Sequence, residues 1–134
     1  MITAAAANAE QFYAEQVHAL DRADFAAYAA TFLPDAVFRI VGARTLLGRA
    51  QIVEHSRTLR AQRSARNAVQ RHYMSNFSVD PTASGARVRA IVLTVESAPG
   101  QPARPTGIIS CEDILARDSS GRYLVELRTA TRLA

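Results

Sequence analysis

A histidine and an asparagine stand four residues apart in the segment QRHYMSNFSVD, residues 70–80. Alternation along a β-strand would put His72 and Asn76 on one face, with Met74 between them. An imidazole exchanges protons near neutral pH, and an amide can donate a hydrogen bond to a substrate oxygen. This face therefore either lines a cavity where chemistry takes place or faces water, and Asn76 could instead mark a bulge or a polar edge. The opposite face would carry the apolar side chains Tyr73, Phe77 and Val79.

Asp113 is an acid on the more apolar face of its own predicted strand, which it shares with Ile109, Cys111 and Leu115. An unpaired buried carboxylate is costly, so this aspartate either lines a pocket or is held by a structural partner. Arg128 on the following strand is available as that partner, although its own face looks exposed. We assign Asp113 to the candidate substrate pocket.

The other titratable side chains give weaker signals. His55 shares a helix face with Ile52 and Leu59, so we expect it to be core or a cavity wall. His18 is expected on an exposed helix surface, and the three histidines show no spacing typical of metal ligands, so no metal site is predicted. Cys111 has no basic neighbour in sequence that would activate it as a nucleophile.

The composition favours a single globular domain spanning residues 1–134, because 49% of the chain is hydrophobic and 21% is charged. No run is long and apolar enough to span a bilayer, and the N-terminus lacks the pattern of a secretory signal, so we expect a cytoplasmic protein without a membrane partner. All 16 basic residues are arginine, which excludes lysine Schiff-base chemistry and a P-loop lysine. The single cysteine excludes an intramolecular disulfide.

The elements that must position these residues divide into a helical first half and a β-rich second half. Apolar spacing predicts helices over about residues 4–20, from Phe25 through Phe32, and after Gly48. Pro34 should end the second helix. Strand patterns follow in AVFRIV and TLL, and then in four segments separated by turn sequences. Together they predict an α+β fold, in which three helices pack on one face of a strongly curved antiparallel sheet that forms a cone with an interior pocket.

The order of four segments resembles the SnoaL-like branch of the nuclear-transport-factor-like superfamily. The segments are ALDRADFAAYAATFLPDAVFRI, LLGRAQIVEH, RHYMSNFSVD and CEDILARDSSGRYLVELR, and the resemblance covers about residues 8–132. Relatives of this kind include polyketide cyclases, dehydratases, ketosteroid isomerase and proteins without catalysis. The resemblance therefore implies the fold more strongly than the reaction.

The resemblance also implies a catalytic pair. In dehydratase-like relatives the aspartate of ALD faces the histidine of the RH strand, and the matching residues here are Asp21 and His72. Asp21 would then orient His72, which would act as the general acid and base. From the residues alone, Asp21 could instead cap the next helix, with Asp24 as the alternative cap. His72 could likewise be an ordinary half-buried strand histidine.

The chain departs from these relatives at two places. Ketosteroid isomerase takes its base from an acid that would fall within DAVFRIV, where this chain has Arg39 and aliphatic residues. Tyrosines of the dehydratases correspond here to Gln16 and to Ile40 or Val41. Tyr13, Tyr28 or Tyr73 could take their place, and of these we assign Tyr28 to substrate binding.

Alternation and resemblance disagree about which face of QRHYMSNFSVD is buried. Alternation makes Tyr73, Phe77 and Val79 the buried face and turns His72 outward, whereas the resemblance turns His72 into the cavity. Both hold if a second copy of the chain covers the apolar face. We therefore expect a homodimer through the sheet.

A run of arginines recurs every three residues in the predicted third helix: Arg57, Arg60, Arg63 and Arg66. This spacing drifts around the helix axis and usually indicates a solvated surface. The alternative is a dock for an acidic partner such as a carrier protein. Nucleic acid is not expected, because exposed aromatic residues are not interleaved with the basic ones.

These features predict a small enzyme that needs no cofactor and that catalyses cyclisation, dehydration or isomerisation of a largely apolar, polyketide- or steroid-like molecule. The catalytic residues would be His72 and Asp21. The residues predicted to contact the substrate are Asp113, Asn76, Tyr28 and His55. The alternative is a non-catalytic ligand-binding or assembly module of the same fold.

Overall fold

The computed structural model describes residues 3–134, which form three helices and six strands. The helices are α1 (Ala4–Asp21), α2 (Phe25–Ala29) and α3 (Gly48–Ser64). The strands are β1 (Phe32–Ile40), β2 (Arg44–Leu47), β3 (Val69–Pro81), β4 (Gly85–Ser97), β5 (Arg104–Arg117) and β6 (Tyr123–Arg132). Within residues 3–134, no helix has the length and apolar character needed to cross a membrane.

All six strands belong to one sheet, in the order β2-β1-β6-β5-β4-β3. Strands β3 to β6 form the predicted antiparallel meander, and the α+β class is confirmed. Two expectations need correction. The sheet is mixed, because β1 runs parallel to β6, and it stays open between the edge strands β2 and β3 and is not curled into the expected cone.

The second helix is shorter than its apolar spacing predicts. It ends at Ala29, and Phe32 already pairs with Val125 as the first residue of β1. The Thr31 hydroxyl donates to the Tyr28 carbonyl at 2.6 Å, which satisfies one free acceptor at the helix end. Pairing with β6 therefore overrides the local helical pattern. Pro34 lies where the register between β1 and β6 shifts, and strands tolerate a proline at such an irregularity.

Helix α1 is held to the sheet by a buried stripe with the spacing of one helix face. Its members are Ala9, Phe12, Tyr13, Gln16 and Ala19. The Phe12 and Tyr13 rings meet edge to face at 5.1 Å, and the Tyr13 ring stacks on Phe77 of β3 at 5.5 Å. This packing fixes the axis of α1 across β3, and it determines where the last residue of α1 lies.

A bulge in β3 resolves the conflict over its buried face. Asn76 adopts a left-handed backbone with φ of 58°, and two residues, Asn76 and Phe77, stand opposite the single Ala90 of β4. The extra residue reverses the inside–outside alternation beyond this point. His72 and Phe77 therefore both face inward, while Tyr73 is 57% exposed on the outer face. The predicted grouping of Phe77 with Tyr73 was wrong, because simple alternation does not allow for the inserted residue.

Replacing Asn76 tests the bulge. Asn76→Val should lower the free energy of unfolding by about 1–2 kcal/mol, because a β-branched residue is strained in the left-handed region. Asn76→Gly should change it by only a few tenths of a kcal/mol, since glycine adopts this conformation freely. Urea unfolding measures both values.

Ser75→Val is the matched control, because Ser75 is an exposed neighbour in ordinary extended backbone. If Asn76→Val were as stable as Ser75→Val, the left-handed bulge would be wrong.

Candidate functional site

The carboxylate of Asp21 binds His72 at two points. Its Oδ1 lies 2.6 Å from Nδ1 of the ring, and its Oδ2 accepts a hydrogen bond from the backbone N–H of His72 at 3.1 Å. Both side chains are largely buried, with 11% of Asp21 and 19% of His72 exposed. Because the Asp21 carboxylate contacts both the backbone N–H and the ring of His72, the imidazole has little freedom to rotate.

The end of α1 is built to present this acid. Ala23 takes a left-handed conformation with φ of 60°, and Asp24 closes the turn and caps α2 through Ala27, whose N–H donates to Oδ1 at 3.1 Å. Asp24 is thus the helix cap, which leaves the Asp21 side chain available for His72. Arg60 of α3 donates to the Asp21 carbonyl at 3.2 Å and so anchors the helix end. A carboxylate at a helix C-terminus opposes the helix dipole, so its position calls for compensating donors such as the His72 N–H.

Three hollows meet at His72. An open groove of about 710 Å³ runs along α1 and the edge strand β3. A second hollow of about 50 Å³ lies between the end of α1 and α3. The third, a cavity of about 450 Å³ that we call the inner cavity, lies between α3 and the inner face of the sheet. His72 lines all three, whereas Asp21 lines the groove and the small hollow but not the inner cavity. Asp21 engages Nδ1, so Nε2 is the ring nitrogen that makes no hydrogen bond within residues 3–134.

The lining of the inner cavity combines polar and apolar side chains. The strand registers bring Thr94 directly opposite His72 and Glu96 directly opposite Gln70. The Thr94 hydroxyl lies 3.0 Å from the hydroxyl of Thr106. The apolar part of the lining comes from α3 and β1 together with β5, through Leu59, Phe38, Ile40 and Ile109. A volume near 450 Å³ suits one compact organic molecule.

Two of the predicted pocket residues line the inner cavity together with His72. Tyr28 is 3% exposed, and burial raises the pKa of its phenol, so the hydroxyl stays protonated and can donate. Burial, followed by the charge of Arg44, lowers the pKa of His55, which favours its neutral imidazole. His18, by contrast, is exposed on α1 as predicted and lines only the outer groove.

Asp113 and Asn76 lie elsewhere. Asp113 is 1% exposed, and its two oxygens accept from Nε and Nη2 of Arg128 at 2.9 and 2.8 Å. The Tyr13 hydroxyl donates to the same carboxylate at 2.7 Å, and Arg128 also donates to Gln16 at 2.6 Å. Neither Asp113 nor the exposed bulge residue Asn76 lines the inner cavity, so the sites predicted for them are not brought to His72.

The buried ion pair has a clear structural use. It joins β5 and β6 to α1, and Arg128 also lies over the rings of Phe32 and Phe38 at 5.3 and 5.5 Å. Cys111 belongs to the same cluster, and burial raises the pKa of its thiol to about 12, which agrees with the expectation that it is not a nucleophile.

Sequence reasoning missed several residues that line the inner cavity, among them Arg63, Thr94 and Glu96. Thr94 and Glu96 lie on the same face of β4 as the buried Ala90. A charged side chain on that inner face was the sequence signal that could have identified a polar cavity wall. Arg63 belongs to the arginine run, whose spacing alone cannot show which member faces inward.

Comparisons with known proteins place this architecture in a family. The sequence profile of the SnoaL-like domain matches residues 3–129. The chain belongs to the SnoaL-like family. A search of curated proteins found no match to this SnoaL-like chain.

Solved structures agree with this assignment. One from Catenulispora acidiphila, in complex with S-DNPA, is 29% identical with a TM-score of 0.81, over 94% of this chain and 91% of that one. Aln2 from a Streptomyces species is 26% identical with a TM-score of 0.86, over 94% and 89%. ActVI-ORFA from Streptomyces coelicolor has a TM-score of 0.85 at 24% identity, over 95% and 96%, and shows the shared fold.

The buried pair between Asp113 and Arg128 yields a stability prediction for this SnoaL-like protein. Asp113→Ala should lower the free energy of unfolding by about 3–5 kcal/mol, because it leaves a buried guanidinium without its counter-charge. The double variant Asp113→Leu/Arg128→Met should recover much of that loss, since no charge is then buried. Urea unfolding of both variants checks the prediction, and a loss below about 1 kcal/mol in Asp113→Ala would contradict it.

Proposed function

We propose that this SnoaL-like protein is an enzyme that moves protons on a largely apolar small molecule held in the inner cavity. Cyclisation, dehydration and isomerisation all use such steps. The single observation that carries the proposal is the Asp21 carboxylate bound to Nδ1 of His72, which leaves Nε2 without a protein partner on a ring that lines the inner cavity. The proposal uses protein side chains alone.

The proton steps follow from this geometry. In the neutral ring Nδ1 carries the proton that Asp21 accepts, so Nε2 has a free lone pair and can remove a proton from carbon next to a carbonyl. The imidazolium that forms is stabilised by the negative charge of Asp21. Nε2 then returns the proton to a departing hydroxyl group, to an enolate carbon or to a newly formed alkoxide. Each outcome leaves the enzyme in its starting protonation state.

Other residues of the inner cavity would bind the substrate. The protonated Tyr28 hydroxyl can donate to a carbonyl oxygen on which negative charge develops. The neutral His55 ring offers a second hydrogen-bonding group on the wall formed by α3. Thr94, directly opposite His72, is placed to contact the same part of a ligand.

Deuterium exchange into 2-tetralone tests the proposal. This apolar ketone has exchangeable protons next to its carbonyl, and ¹H NMR in D₂O follows their loss. The protein should accelerate the exchange over buffer. His72→Ala should lower the protein-dependent rate by about 10²–10⁴-fold, the usual contribution of one acid–base group. Asp21→Asn should also lower the rate, because the ring then loses its anionic partner.

His18→Ala is the matched control, since it removes an imidazole that does not line the inner cavity. It should exchange at the wild-type rate. Exchange that is unchanged in His72→Ala would overturn the proposal. Binding of 2-tetralone without protein-dependent exchange in any variant would favour the alternative, a non-catalytic ligand-binding module.

We also propose that two copies of the chain pair through the outer face of the sheet. Tyr73, Leu93 and Ile108 lie side by side across β3, β4 and β5, and Tyr73 and Ile108 are 57% and 39% exposed. Arg89 and Glu112 face each other across β4 and β5 on the same face. A two-fold arrangement can place each acid near the other copy's base, which makes the surface self-complementary.

Light scattering during size-exclusion chromatography tests the pairing. The wild-type protein should have twice the mass of the 14.5 kDa chain. Ile108→Arg should halve that mass, because it puts a charge into the apolar row. Leu47→Arg is the control, since Leu47 is 59% exposed on the opposite edge strand. A monomeric wild type, or dissociation by Leu47→Arg alone, would contradict the proposal.

A further inference from the structure

The four arginines of the run do not form one solvated surface, and Arg66 lies beyond the end of α3 at Ser64. Arg57 pairs with Glu54 at 3.6 Å and lies over the Phe25 ring at 5.2 Å. Arg60 donates to the carbonyl of Asp21, as described above. Arg66 forms a charged hydrogen bond to Glu96. Three members of the run are therefore bound to other residues of the chain.

Arg63 is the exception. It is half-buried and lines both the inner cavity and the small hollow beside His72. Its guanidinium makes no side-chain hydrogen bond or salt bridge to any residue within 3–134. Burial lowers the pKa of Arg63. The nearby carboxylates of Glu96 and Asp21 raise that pKa, whereas the neighbouring guanidinium groups of Arg60 and Arg66 lower it. A partly desolvated guanidinium that makes no side-chain hydrogen bond of its own can bind an anion, and its planar fork matches a carboxylate.

The other charges around the inner cavity support the same interpretation. Arg132 also lines it and donates to the Thr106 carbonyl at 2.7 Å. Glu96 is the one acid among the described lining residues, and its Oε1 is already engaged by Arg66. Glu96 thus forms its hydrogen bond with Arg66 and none with Arg63. The described lining carries two arginines, Arg63 and Arg132, and one carboxylate, so its formal charge is positive.

We propose that the inner cavity takes an apolar molecule bearing a carboxylate, with Arg63 binding the carboxylate. Arg63 thereby sets both the charge of the accepted substrate class and the direction in which the apolar body points. This inference rests on the proposed function only in that it places the substrate in the same cavity. It assigns no proton transfer to Arg63.

Calorimetric titration with 2-naphthoate and its neutral counterpart 2-naphthamide tests the inference. In about 0.15 M salt, which screens the general surface charge, wild-type protein should bind 2-naphthoate about 10- to 100-fold more tightly than 2-naphthamide. Arg63→Gln should reduce the preference to less than about threefold while leaving 2-naphthamide binding nearly unchanged. Glu96→Gln should increase the preference, because it removes the competing negative charge.

Arg57→Gln is the matched control, because it removes one positive charge from the same helix at a residue that does not line the cavity. It should keep the wild-type preference. The inference would be overturned by a wild type that does not prefer 2-naphthoate, or by equal losses in Arg57→Gln and Arg63→Gln, which would indicate general surface attraction.

The same titration of His72→Ala separates this inference from the proposed function. A preference for 2-naphthoate that persists in His72→Ala and depends on Arg63 supports the carboxylate site, even if 2-tetralone exchange fails. A preference that disappears in His72→Ala but persists in Arg63→Gln would show that the imidazole, and not Arg63, binds the carboxylate. That result would overturn the role of Arg63.

Discussion

The candidate site depends on one carboxylate that makes two contacts with one residue. Asp21 accepts from both the backbone N–H and the ring of His72, and so joins the end of α1 to the edge strand β3. This interaction fixes the ring orientation and leaves Nε2 as the ring nitrogen without a hydrogen-bond partner among residues 3–134. Without it, the cavity would have a histidine on its wall but no defined base.

The rest of the molecule holds those two elements in place. The α1 stripe packs against the sheet, and the buried cluster around Asp113 and Arg128 ties the same helix to β5 and β6. Desolvation offsets much of the attraction within a buried ion pair, whereas removing one partner alone is costly. In this chain the cluster contacts α1 through Tyr13 and Gln16, on the same helix that ends at Asp21. A substitution at Asp113 would therefore affect the site by changing the position of α1, although Asp113 does not line the inner cavity.

Local sequence patterns predicted the helices and strands better than they predicted where those elements end and which of their faces are buried. The α1 stripe and the meander could be read from apolar spacing, because each depends on contacts along a single segment. The end of α2 could not, since Phe32 joins β1 through pairing with a strand more than ninety positions later, at Val125. The inner face of β3 was misassigned because a single left-handed residue, Asn76, reverses the alternation.

The candidate site was only partly predictable for a similar reason. Asp21 and His72 are 51 positions apart, so their pairing came from the family resemblance and not from spacing. Arg63 and Glu96 become cavity residues only when α3 and β4 line the same cavity, which no local pattern shows. Asp113 was recognised as an unusual acid on an apolar face, and the sequence left open the two possibilities of a pocket and a structural pair. The structure shows the pair with Arg128.

The orientation of one imidazole is the central claim, and ¹⁵N NMR tests it most directly. Two-bond correlations between ring protons and ring nitrogens distinguish the two neutral tautomers of His72. We predict that the neutral ring carries its proton on Nδ1, toward Asp21, and that Asp21→Asn shifts the Nδ1 signal. A neutral ring protonated on Nε2, or Nδ1 signals unaffected by Asp21→Asn, would contradict the account.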